Sequence, residues 1–117
     1  MIKTTLKEKK RYILYKIKTM QKTDIKREEV EKIIEEFFGV YGIVKNGIKI
    51  IYYDEDKKDL IIRCYRGKEK EICPFFSLIS HCNGKQLKFE LLFISGTIAA
   101  IKRKKGIKIS KSAILNQ

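Results

Sequence analysis

A mixed α/β domain is the fold class this sequence predicts, and three observations carry the prediction. One segment repeats apolar residues at helical spacing, with Val30, Ile33, Ile34, Phe37, Phe38 and Tyr41 at i, i+3, i+4, i+7, i+8 and i+11. Four shorter segments have the alternating or continuous apolar runs of strands. Only the connection between the second and third of these, Asp54 to Asp59, has hairpin length, while the others hold helices. The resulting order, β-α-β-β-α-β-α, is the split βαβ pattern of ferredoxin-like or RRM-like α/β (α+β) domains. Right-handed crossovers then predict a four-stranded antiparallel sheet with flanking helices, in the order 4-1-3-2, with the first strand beside the fourth.

Taken in order, residues 1–11 (MIKTTLKEKKR) are basic with little periodicity and read as a flexible arm. The first strand runs from Tyr12 to about Lys18. It has Ile13, Tyr15 and Ile17 on one face and Tyr12 and Leu14 on the other, which suits a central strand. Thr23 or Asp24 offers a cap for the first helix. The polar face of that helix carries Glu28, Glu29, Glu31, Glu35 and Glu36 with Lys32, and would repel a phosphate backbone. It should look at solvent or at a basic protein partner. Gly39 and Gly42 loosen the helix end, and Asn46-Gly47 closes a short connection.

Ile48 to Tyr53 and Leu60 to Tyr65 are the second and third strands. Pro74 suits the first turn of a second helix, with Ile72, Phe75, Phe76 and Ile79 on its apolar face and Asn83-Gly84 as its stop. The fourth strand alternates Leu87, Phe89, Leu91 and Phe93. It runs into Ser95-Gly96-Thr97, where Ser95 or Thr97 caps a last helix with Ile98 and Ile101 on one face. The organisation is one domain over residues 12–105, between the basic arm 1–11 and a peripheral tail 106–117.

The 117 residues carry 27 bases and 14 acids, a net charge of +13, and the charge is unevenly placed. Residues 1–22 hold eight bases and one acid, residues 95–117 six bases and no acid, and residues 23–94 thirteen of each. All the excess lies at the two ends. Solubility does not demand that arrangement, whereas a polyanion would use it, because each phosphate neutralised releases counterions. Pairing of the first strand with the fourth brings Arg11 beside Ile94, so the two basic ends form one patch.

The last helix closes on Lys102-Arg103-Lys104-Lys105 before Gly106. Its first turn has no Asp or Glu, so free N–H groups there could take a phosphate. Bases in a last turn also complement the helix dipole with no ligand at all. The three cysteines, Cys64, Cys73 and Cys82, include no CxxC pair, and His81-Cys82 lacks further ligands at zinc spacing, so no metal is expected. With no signal-peptide pattern and no apolar run near the roughly 18 residues of a membrane span, the expectation is a reduced, cytoplasmic protein.

Several segments together resemble the second protein component of archaeal ribonuclease P, a family shared with eukaryotic ribonuclease P and MRP subunits. They are KEKKRYILYKI (Lys7 to Ile17), REEVEKII (Arg27 to Ile34), KIIYYDED (Lys49 to Asp56), LIIRCYR (Leu60 to Arg66) and, most distinctively, SGTIAAIKRK (Ser95 to Lys104). The sequence departs from the family pattern at Lys26, where a Ser or Thr cap is usual, and at Pro74. The resemblance implies a subunit of the ribonucleoprotein that removes the 5′ leader from precursor tRNA, in which the RNA subunit catalyses the cleavage. It implies as partners the ribonuclease P RNA, precursor tRNA within the holoenzyme and the third protein component, with self-association in a heterotetramer. Magnesium is expected for the RNA subunit, with no cofactor bound by the protein. The implied RNA-binding residues are Lys7, Lys9, Lys10, Arg11, Ser95, Thr97, Lys102, Arg103, Lys104 and Lys105, with no catalytic residue in this chain.

Two rival readings compete with this one. A small hydrolase on the same architecture would need a phosphate loop, a triad or paired carboxylates on one apolar face, and the sequence has none. Another basic structural RNA binder of this fold, such as a ribosomal protein or a sheet-surface reader, remains as the alternative. Sheet readers stack bases on strand aromatics, but the third strand lacks a Gly-aromatic signature, which favours Tyr15 and Tyr65 as packed residues.

Overall fold

The computed structural model describes residues 9–20, 23–82 and 84–105. β1 (Lys10–Thr19) is hydrogen-bonded on both sides, antiparallel to β3 (Asp59–Tyr65) and to β5 (Lys85–Ser95). β2 (Lys49–Asp54) pairs with β3, and a two-residue β4 (His81–Cys82) pairs with the start of β5. The sheet order is β2-β3-β1-β5-β4. With β5 as the expected fourth strand, this is the predicted 4-1-3-2 order extended by one short edge strand.

Two layers cover the sheet. On one face lie α1 (Arg27–Asn46) and α2 (Glu69–Leu78), which enclose Ile13, Tyr15, Ile17, Ile62 and Phe89 with Val30, Ile33, Ile34, Ile72 and Phe76. The Tyr15 and Phe76 rings are 4.9 Å apart and those of Phe76 and Phe89 5.2 Å, so one aromatic group joins β1, α2 and β5. A second, smaller cluster puts Ile101 of α3 (Ile98–Lys105) with Leu14, Ile51 and Ile61. β1 is thus apolar on both faces because both faces are covered.

Several expectations need correction. β1 begins at Lys10 rather than Tyr12, because Lys10 and Arg11 find partners in Tyr65 and Cys64. The Leu87-Phe89-Leu91-Phe93 alternation does not keep one face. The β1–β5 register shifts between Leu14 and Tyr15, which pair with Phe93 and Leu91, so Leu92 is an extra residue in β5. Leu87 and Phe89 therefore enter the helix-side core and Phe93 packs in the α3 cluster, while Leu91 and Leu92 stay exposed.

α1 starts from Lys26, not Thr23 or Asp24. The Glu29 carboxylate accepts the Lys26 N–H at 3.1 Å, and Lys85 Nζ donates to Glu29 at 3.0 and 3.2 Å and to the Asp24 carbonyl at 2.9 Å. Glu29 accordingly leaves the solvent face to which its spacing assigned it. Residues 43–46 continue the helix instead of forming a connection, after a break at Gly39 with φ 71° and ψ 170°. α2 begins at Glu69, so Pro74 lies inside it rather than in its first turn, and the helix ends at Leu78, before Asn83-Gly84.

Gly47 ends α1 in the left-handed region at φ 66°, and a Cβ there would come within 2.6 Å of the Tyr65 ring. Gly67 has φ 95° with open space around it. Gly67→Ala should therefore cost only the backbone strain of about 1 kcal/mol, and Gly47→Ala that strain plus about 1–3 kcal/mol of overpacking. Urea unfolding of the two variants checks the difference; equal losses would mean that Tyr65 yields without cost.

Candidate nucleic-acid interface

The start of β1 and the end of β5 meet at one end of the sheet. Tyr12 of β1 pairs with Ser95 of β5, so Arg11 stands next to the Ser95-Gly96-Thr97 turn. Lys9 precedes β1, exposed, and its carbonyl accepts the Arg66 N–H at 2.8 Å. Lys10 Nζ lies 5.0 Å from the centre of the Tyr65 ring. Arg11 is held further in, its Nε 3.5 Å from Glu69 of α2. Lys7 lies outside the described residues.

The turn into α3 is built on its own hydroxyls. Ser95 Oγ accepts the Thr97 N–H and Thr97 Oγ1 accepts the Ala100 N–H, each at 3.2 Å, so Thr97 is the cap. The helix has no acid in its first turn, but these bonds give one of its N-terminal donors a partner inside the chain. Fully buried Ile101 seats α3, which leaves Lys102 half-buried and Arg103 and Lys104 exposed. Lys104 Nζ lies 5.6 Å from the centre of the Phe93 ring. Lys105 ends the helix, and its side chain lies outside the described residues.

Sequence reasoning missed Arg66. It is exposed and sits beside Lys9 through the bond above, so β3 adds a third basic segment to this end of the sheet. The antiparallel register of the first and third strands was the signal that could have found it. At the other end of β1, cations are paired with acids, Lys16 with Asp59 at 3.4 Å and Lys18 with Glu90 at 3.3 Å. Asp59 is buried and the pair of Lys18 with Glu90 is exposed, and both pairs cancel charge locally.

Elsewhere the surface differs in kind. Glu28, Glu31, Glu35 and Glu36 of α1 are exposed, as are Phe37, Val40, Tyr41 and Val44 after them and Phe75 and Leu78 of α2. Val40 is 80% and Tyr41 78% exposed, although Tyr41 belongs to the periodic face expected to be buried. The backbone break at Gly39 interrupts that period. Among the described residues no three His, Cys, Asp or Glu side chains are grouped to hold a metal. Burial pushes the Cys64 thiol up to about 12, so it stays protonated at neutral pH.

These features define a class, a ferredoxin-like α/β sandwich whose second sheet face is closed by a C-terminal helix ending in bases. The chain belongs to the Rpp14/Pop5 family, whose model matches residues 11–105. It is 32% identical over 104 residues to ribonuclease P protein component 2 of Pyrococcus furiosus, covering 86% of this chain and 85% of that one. It is 35% identical to the protein of the same name from Methanocaldococcus jannaschii, with 95% and 86% covered. Among solved structures, a chain in a cryo-EM structure of yeast ribonuclease MRP superimposes with a TM-score of 0.63 at 13% identity, over 92% of this chain and 85% of that one. That likeness concerns the fold. No helix among the described residues is long and apolar enough to cross a membrane.

Ile101→Ala should remove the main apolar anchor of α3 and cost about 2–4 kcal/mol of helix docking. Amide hydrogen exchange would then rise over residues 98–104 while the β1 amides stay protected. Unchanged protection in α3 would show that the helix is held by something other than this packing.

Proposed function

We propose that this chain is an RNA-binding protein subunit of ribonuclease P that stabilises the catalytic RNA which removes the 5′ leader from precursor tRNA. The observation that carries the reading is the turn into the basic helix α3, set beside Arg11 at the start of β1, in a chain about one-third identical to proteins named ribonuclease P protein component 2. Fixed positive charge placed against a self-repelling RNA fold lowers the magnesium that the fold requires. The chain itself supplies no hydrolytic chemistry, and catalysis with its magnesium belongs to the RNA. The site of action is the cytoplasm.

The protein partners in this reading are the third protein component and, within a heterotetramer, a second copy of this chain. We assign the exposed apolar face of α1 and α2 to protein rather than RNA, because Glu35 and Glu36 border it and would oppose phosphates.

Replacing Lys102, Arg103 and Lys104 together with Gln tests the RNA interaction. Binding to ribonuclease P RNA should weaken, and its salt dependence should flatten by about 0.7–0.9 for each phosphate no longer neutralised, while the thermal midpoint barely moves. An unchanged slope would reject this site. Precursor tRNA cleavage by the purified chain without RNA would reject the division of labour. Val40→Asp is expected to abolish co-purification with the third component at an unchanged RNA slope; retained co-purification would remove that face from the interface.

A further inference from the structure

Arg11 and Gly96, far apart in sequence, approach each other closely. A Cβ placed on Gly96 would stand 2.7 Å from Arg11 Nη1. Gly96 is not among the glycines with positive φ, so backbone freedom does not account for a glycine here. A side chain at this position would displace the guanidinium from where it stands. The other side of that group is held at 3.5 Å by Glu69 Oε2, while Glu69 Oε1 accepts the Gly67 N–H at 2.6 Å. The Arg11 side chain is 33% exposed and that of Glu69 19%.

We propose that Arg11 is a positioning residue rather than a phosphate ligand: its guanidinium ties β1 and the first turn of α2 to the turn that launches α3, and so sets where the bases of α3 stand relative to Lys9, Lys10 and Arg66. The proposal rests on the RNA-binding reading above and removes Arg11 from the direct RNA ligands. The physical case is the planar head group. The guanidinium spans two partners at once, Nη1 end-on toward the bare Gly96 backbone and Nε toward the Glu69 carboxylate, and a lysine ammonium, with one nitrogen, does not reach both. Gly96 and Arg11 are then one device, since the glycine leaves room for Nη1 and the arginine supplies the tie.

The test measures ribonuclease P RNA binding against salt for Arg11→Lys, Arg11→Gln, Gly96→Ala and the Arg11→Gln/Gly96→Ala pair. Arg11→Lys and Arg11→Gln should weaken binding alike, by roughly two- to fivefold, with the salt slope of the original chain. Gly96→Ala alone should also weaken binding but cost almost nothing once Arg11 is Gln, because it then has nothing to displace. Exchange of the Ala100 amide, bonded to the Thr97 cap, should rise in all four variants. Full rescue by Arg11→Lys, with a slope lower by about 0.7–0.9 in Arg11→Gln, would make Arg11 a phosphate ligand and overturn the proposal. Additive losses in the double variant would also overturn it. If the original chain shows no preference for ribonuclease P RNA, the functional reading fails instead, and the exchange data alone decide whether the tie exists.

Discussion

The rest of the structure depends on β1 being hydrogen-bonded on both sides and covered on both faces. A strand in that position has no solvent to satisfy its backbone, so its register with β3 and β5 is fixed by the ladders themselves. Its side chains supply the shared floor of two cores, Ile13, Tyr15 and Ile17 under α1 and α2 and Leu14 under α3. Register on β1 thereby determines which residues of the two chain ends become neighbours. Arg11 faces the Gly96 turn because Tyr12 faces Ser95.

That constraint converts a charge distribution along the sequence into a charge distribution in space. The bases at the start of β1 and Arg66 after β3 share one end of the sheet, beside the turn that launches α3, whereas Lys16 and Lys18 further along β1 have acids within 3.4 Å. The concentration of positive potential at one end is what a polyanion would sense at a distance. Because α3 also covers the sheet face over Leu14, Ile51 and Ile61, the aromatic-stacking route to RNA used by sheet readers is closed over that part of the face.

α1 divides the opposite side into two chemistries. Before Gly39 its apolar residues Val30, Ile33 and Ile34 are buried and Glu28, Glu31, Glu35 and Glu36 are outside; after it, Val40, Tyr41 and Val44 are outside. A surface with this many adjacent large apolar side chains is unusual for an isolated soluble chain.

By itself the sequence determined the fold class, the order 4-1-3-2, the central place of the first strand and the meeting of its start with the end of the last strand, because these follow from periodicity and crossover handedness. It also contained the Ile98 and Ile101 face of α3, a local pattern read at helical spacing. Only the tertiary structure decided the rest. The extra residue Leu92 shifts Phe93 to the other face, and a bulge arises from cross-strand register that local alternation does not encode. Glu29 turns inward because Lys85, distant in sequence, reaches it, and Lys26 becomes the cap in consequence. Tyr41 is exposed because Gly39 adopts a conformation that interrupts the helical period. Arg66 joins the basic end, and Arg11 finds Gly96 and Glu69, through approaches between segments far apart in the chain. Local periodicity reports which residues are apolar together, and only the packed chain determines which charges and backbones come within reach of one another.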